Sequence, residues 1–269
     1  MDEIRVYELK KKDLTGATVI EGFPSVGLVS SIAGNYLINA LGLEHIGVLD
    51  SSDFPAVSVI RNSEPLNPVR IYANNPPSRP DVDPEQVVVF VSEFQPPTSM
   101  VKPIASTILD WIQEQKCSLL ISPEGLIIDR GGSDEEEETD ERSGKAKTER
   151  INDIGVYGVA SNKNARKIIT KHNIKDFQQG VVSGVAGVLL NESKRRNFDT
   201  ICLLAEANPN YPDARAAAKV IEVIDKILIH THIDVKPLYD EAKNIEVQLK
   251  NMHKQVKNQT KAAEPQMYT

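Results

Sequence analysis

The chain is short of several things, and each shortage removes a class of function. It has two cysteines, Cys117 and Cys202, next to or within apolar runs and with no second Cys or His at metal-ligand spacing. That argues against a disulfide scaffold or a zinc site and predicts buried thiols in a reducing compartment. There is no basic surplus: Lys+Arg 31 against Asp+Glu 38 leaves a net charge of -7. Nucleic acid is therefore not an expected partner. No apolar stretch approaches the length of a bilayer span, and Met1-Asp2-Glu3-Ile4-Arg5 does not read as an export signal, so no membrane is expected and the cytoplasm is the expected location.

What is present is an alternation of short β-branched runs and helical patterns, the mark of an α/β fold with a mostly parallel sheet covered by helices. Strands are predicted at Ala17 to Glu21, His45 to Leu49, Ala56 to Ile60, Val69 to Tyr72, Val87 to Val91, Ser118 to Ser122, Ile154 to Val159 and Thr200 to Ala205. Several are unbroken Val/Ile/Leu runs, which predicts burial on both faces. Helices are predicted at Val26 to Leu41, Ser99 to Gln115, Asn162 to Lys171, Gly184 to Arg195 and Asp213 to Ile229, the last opened by Pro212. At 269 residues the pattern suits one α/β domain over residues 1–233, a C-terminal helix over 234–257 and a flexible tail over 258–269. Within the domain, the acidic stretch from Gly131 to Lys145 has nothing to bury and is expected to be an exposed, disordered loop. In the helix, Leu238, Ala242, Ile245, Leu249, Met252 and Val256 step by four and three, a short heptad-like seam. It suits either a partner helix or the chain's own domain.

No enzyme signature is complete. Gly22 and Gly27 have the spacing of a phosphate loop, yet Leu28 and Val29 occupy the places of the lysine and the Ser/Thr that such a loop needs. A nucleoside triphosphatase of that kind is disfavoured. The turn Gly22-Phe23-Pro24-Ser25-Val26-Gly27 is expected to be structural, with Ser25 as helix cap and Gly27 and Gly34 allowing close packing of helix on sheet; its helix start remains a possible anion site. A second turn, Ser183-Gly184, lacks the nucleophile-elbow pattern, so Ser183 is expected to cap a helix. Glu93, Glu124 and Glu206 each follow a predicted strand, where α/β sheets place their sites. The five histidines have no evident metal or acid companion in sequence, and no metal or cofactor is expected.

Three segments together resemble a known family. Glu21 to Val29 with the helix through Tyr36-Leu37, Gly180 to Leu190, and Ala205 to Asp213 are similar to the signatures of the archaeal proteasome assembly chaperone family. The resemblance spans roughly Ile20 to Ile229. It implies a fold similar to the purine nucleoside phosphorylase type without that enzyme activity, a homo-oligomer such as a ring, and a second assembly chaperone as a possible partner. It also gives meaning to Met267-Tyr268-Thr269, a hydrophobic residue, a tyrosine and a carboxylate-bearing end after a polar tail. Some members end in a hydrophobic-Tyr-any motif that inserts between α subunits of the proteasome core particle, and these residues match it position by position. The acidic 131–145 stretch is not part of the family pattern. The other reading kept is a nucleoside- or carboxylate-handling enzyme on the same fold, with phosphate at the Gly22 to Gly27 turn.

Overall fold

Val87-Val88-Val89-Phe90-Val91 has no polar side chain to offer water, and the chain sets it inside a nine-stranded sheet with both faces covered. The computed structural model describes residues 3–76, 78, 85–127, 154–228 and 231–243. Its strands are β1 (Arg5–Glu8), β2 (Thr18–Gly22), β3 (Glu44–Asp50), β4 (Val59–Arg61), β5 (Glu64–Leu66), β6 (Val69–Ala73), β7 (Val87–Ser92), β8 (Leu119–Leu126), β9 (Val156–Ala160), β10 (Lys175–Asp176) and β11 (Thr200–Glu206). The large sheet runs β1-β3-β6-β7-β2-β8-β11-β9-β10. Its centre, β7-β2-β8-β11, is parallel. The β1-β3-β6-β7 flank is antiparallel, and on the other side β9 runs against β11.

Parallel neighbours need crossovers, and the helices supply them. They are α1 (Val29–Ala40), α2 (Thr98–Glu114), α3 (Lys163–Lys171), α4 (Gly184–Arg196) and α5 (Ala214–Ile227). Because side chains alternate along a strand, Ile20 and Ile121 face α1, α3 and α5, whereas Val19, Leu120 and Phe90 face α2 and α4. The helix after β2 thus lies on one face and the helix after the adjacent β7 on the other. Such a reversal opens a crevice at the carboxyl ends of the strands.

Three expectations need correction, and three short strands were not foreseen. The strand expected at Ala56 to Ile60 is a short extended piece, β4, paired with β5 in a separate hairpin; Asn62 and Ser63 turn it with φ of 51° and 65°, the left-handed pair that suits a two-residue hairpin loop. The helix expected from Val26 to Leu41 is broken: Gly27 and Leu28 have φ of 60° and 52°, so a 3-10 turn at Val26–Leu28 precedes α1. Pro212 does not open the last core helix, because Asp213 is its N-cap. Short β1, β5 and β10 escaped the sequence reading, since brief strands of mixed polarity carry no periodic signal.

Residues 236–243 are helical, Leu238 and Ala242 are buried with α1 and α5, and the Tyr239 hydroxyl donates to Glu222 Oε1 at 2.7 Å. The start of the seam therefore docks on the chain's own domain. Ile245, Leu249, Met252 and Val256, the acidic 131–145 stretch and the tail 258–269 lie outside the described residues. Cys117 and Cys202 are free and buried, and burial pushes the Cys117 thiol up to about 12.

Candidate functional site

At the carboxyl ends of β2 and β8 the crevice becomes a cavity of about 410 Å³. Its floor follows from strand register. Glu21 shares a face with Val19, and Ser122 and Glu124 share that face with Leu120; Cys202 and Leu204 of β11 lie beside them, paired in register with Ser122 and Glu124. Phe23, Pro24 and Ser25 form one wall, and the segment Val181 to Val185, leading into α4, forms another. Val181 at the rim is 86 % exposed and Ile127 is 56 % exposed.

Glu21 is the unusual group. Its side chain is 1 % exposed; Oε1 accepts from the Phe23 amide at 2.8 Å, and Oε2 has no hydrogen-bond partner among the described residues. Burial pushes the carboxyl up to about 8, with the Phe23 amide and the Ser122 side chain pulling weakly the other way. Half-buried Glu124 is raised well above the usual carboxylate range, first by burial and then by the Glu21 charge. Two carboxyls in one apolar cavity do not both ionise near neutrality.

The other carboxylates that follow strands are committed elsewhere. Glu93 accepts from Arg61 at 2.7 Å and from the fully buried Arg70 at 2.6 Å, while Glu206 accepts from the Tyr157 hydroxyl at 3.1 Å. Of the three, Glu124 alone lines the cavity, and it lies within β8 rather than past its end. Glu21 was missed as a site residue because it closes an apolar run and reads as a strand terminus. The available signal was a carboxylate on the face of a strand expected to be buried on both sides.

The motif residues converge around the same place. Gly22 packs on Gly34 of α1, where a Cβ at Gly34 would lie 3.4 Å from the Gly22 Cα, as the close helix-to-sheet packing requires. Pro24, Ser25, Ser183 and Gly184 line the cavity, whereas Gly27 faces away, toward Asn208 and Asp213. Ser25 caps further along the chain than expected: its Oγ accepts from the Ser30 amide at 3.1 Å, in the first turn of α1. Ser183 has the extended backbone of a cap residue but its side chain makes no capping bond, which corrects the expected role. Among the turn's own groups, the Phe23 amide is held by Glu21 and the Leu28 amide by the Ser25 carbonyl at 2.9 Å. With a buried carboxyl beside it, this turn is a poor cradle for phosphate. Met267, Tyr268 and Thr269 lie outside the described residues.

Asp213 ties the first and third motif segments together. Its amide donates to the Gly27 carbonyl at 2.7 Å, Oδ1 accepts from Ala216 N at 3.0 Å to cap α5, and Oδ2 accepts from Asn208 N at 3.0 Å. Replacing it with alanine removes the cap and strands a loop amide. Asp213→Ala should lower unfolding free energy by about 1–2 kcal/mol in urea titration, and Asp213→Asn should recover about half.

Comparison with known proteins supports a common origin for this arrangement. A sequence model described as the PAC2 family matches residues 19–253. The chain is 27 % identical over 249 residues to the uncharacterized protein MJ0106 of Methanocaldococcus jannaschii, covering 93 % of this chain and 90 % of that one. In structure it is similar to Pyrococcus furiosus PbaA, described as an archaeal homolog of proteasome-assembly chaperone: 28 % identity, TM-score 0.76, 96 % of this chain and 95 % of that chain. It also shares its fold with Pyrococcus furiosus PbaB, an archaeal proteasome activator, at 23 % identity and TM-score 0.75 over 94 % of this chain and 100 % of that chain.

Proposed function

This chain belongs to the PAC2 family, and from that premise we propose that it is a non-enzymatic proteasome-assembly chaperone or adaptor that binds α subunits of the core particle through Met267, Tyr268 and Thr269. The observation that carries the reading is the likeness to PbaA along nearly the whole of both chains, joined to the hydrophobic-Tyr-any sequence at 267–269. In this reading Met267 fills an apolar niche, Tyr268 wedges at a subunit boundary, and the terminal carboxylate pairs with a basic residue. The preceding Asn258 to Gln266 supplies little apolar surface of its own.

One tripeptide buries too little area for tight binding. Homo-oligomerisation therefore belongs to the proposal, because several tails on one assembly raise the effective concentration of each once the first has docked. The domain over 1–233 provides the assembly, and the helix over 234–257 carries the tail. An enzymatic reading with phosphate at the Gly22 to Gly27 turn is the less favoured one, given the carboxyl beside that turn.

The test is a pull-down of free α subunits and of mature core particle with the intact chain and with one lacking residues 267–269, alongside the mass of each in solution. The intact chain should retain the proteasome partner. The trimmed chain should lose it while its mass changes only by three residues per subunit, and Tyr268→Ala should weaken each tail by roughly 30-fold, as expected of a hot-spot aromatic. Undiminished binding by the trimmed chain refutes the proposal. Preference for free α subunits marks an assembly role, and preference for the mature particle marks activation.

A further inference from the structure

Among the described residues, the cavity at the ends of β2 and β8 is lined by two carboxyls and no counter-charge. No described Lys, Arg or His contributes to the electrostatics of Glu21 or Glu124, and Glu21 Oε2 and the nearby Ser122 Oγ are both buried without a hydrogen-bond partner among the described residues. Leaving a buried polar atom unsatisfied is unfavourable, so such an atom on a residue that lines a cavity calls for an occupant. The walls are mostly apolar: Phe23, Val182, Val185 and Leu204 surround the carboxyls, and Val181 and Ile127 extend the apolar surface to the mouth. A volume of about 410 Å³ falls within the range of small-molecule sites.

From this geometry we infer that the cavity is a binding site for a small organic monocation, an ammonium or amidinium head on an apolar body, with the head between Glu21 and Glu124. The head donates to Glu21 Oε2 and to an oxygen of the Glu124 carboxyl, which keeps its proton, and the body lies against Phe23, Val182 and Leu204. An anion is the wrong ligand, since it would meet two carboxyls and a turn whose Phe23 amide is already held. The inference is independent of the tail: it concerns the folded domain, and either can fail without the other.

Binding is linked to a proton. The groups around Glu21 are Ser122 and Glu124 from β8, Cys202 from β11 and, from α1, Ser30, whose hydroxyl donates to the Glu21 backbone carbonyl at 3.0 Å; α4 presents apolar Val185. Glu21 holds its proton up to about pH 8, so an arriving cation displaces that proton into solvent and no other bond changes. Affinity should therefore rise with pH, by at most about tenfold per unit below pH 8.

Titration calorimetry on the full chain tests this with benzamidine, phenethylamine and cyclohexylamine as cations, benzamide as the uncharged counterpart of benzamidine, and inorganic phosphate as the anion. At least one cation should bind saturably, one per chain, at pH 8, more weakly at pH 6.5, and with buffer-dependent heat that reports proton release. Glu21→Gln and, separately, Glu124→Gln should each weaken it at least tenfold while circular dichroism shows an intact fold. Two variants guard against the failure of one to fold. No saturable binding of any of the three cations, equal binding of benzamide, or competition by phosphate overturns the inference.

Discussion

Glu21→Gln should make the chain more stable at pH 8 than the unchanged protein, by about 4 kcal/mol, while leaving the two nearly equal at pH 5. Glu21 is raised from an ordinary carboxyl to about 8 by burial. The folded state therefore holds a proton that the unfolded chain has released. A carboxyl raised in this direction contributes its full stability at low pH and loses it as pH climbs through the folded value. Within the window between about 4.5 and 8, each pH unit costs about 1.4 kcal/mol for one retained proton. Glutamine keeps an oxygen for the Phe23 amide and has no charge to bury. Urea unfolding at pH 5, 6, 7 and 8 would trace the two slopes. Parallel lines for both proteins would mean that the Glu21 carboxyl ionises freely in the folded state, which its burial does not permit. The variant keeps a residual slope, because Glu124 is raised as well.

Gly125→Ala should be among the most damaging single methyl additions in the domain, lowering stability by about 3 kcal/mol, at the upper end of overpacking effects. Gly125 lies in β8 directly under the 3-10 turn, and a Cβ there would sit 2.1 Å from the Val26 carbonyl oxygen and 2.8 Å from its carbon. Both are backbone atoms and cannot rotate aside, as a flexible side chain would. Relief requires the Gly22 to Leu28 turn to lift off the sheet, which in turn pulls on the Asp213 amide bonded to Gly27. Gly42→Ala is the informative comparison, since a Cβ at Gly42 meets nothing within 4 Å and its φ of 59° alone strains the substitution. Thermal unfolding of both should show the larger drop at Gly125. A Gly125→Ala protein as stable as the parent would show that the turn has slack.

How much of this was readable from the residues varies by element. Val87 to Val91 and Thr200 to Ala205 announce buried strands because nothing in them prefers water, and both strands form where expected. The helix at Thr98–Glu114 is equally plain from its apolar period. β1 was invisible because Arg5, Val6, Tyr7 and Glu8 form a solvent-facing edge, whose identity depends on β3 lying beside it. The break before α1 depends on Leu28 adopting a left-handed conformation that its side chain does not advertise. For the cavity, the sequence yielded Pro24, Ser25, Ser183 and Gly184 as turn residues, without indicating that they face one another. Glu124 was noted and Glu21 passed over, since burial is a property of the assembled sheet. The carboxyl pair emerges only when β2 and β8 are laid side by side.

The docking of Leu238, Ala242 and Tyr239 on the domain fixes the point of departure for everything that follows. Residues 244–268 span at most about 90 Å if drawn out straight, and much less if any of them coil. That length, counted from a spot beside α1 and α5, bounds how far from the domain Tyr268 can lie. In an assembly of the kind proposed above, the outlook of that flank sets where every chain end departs.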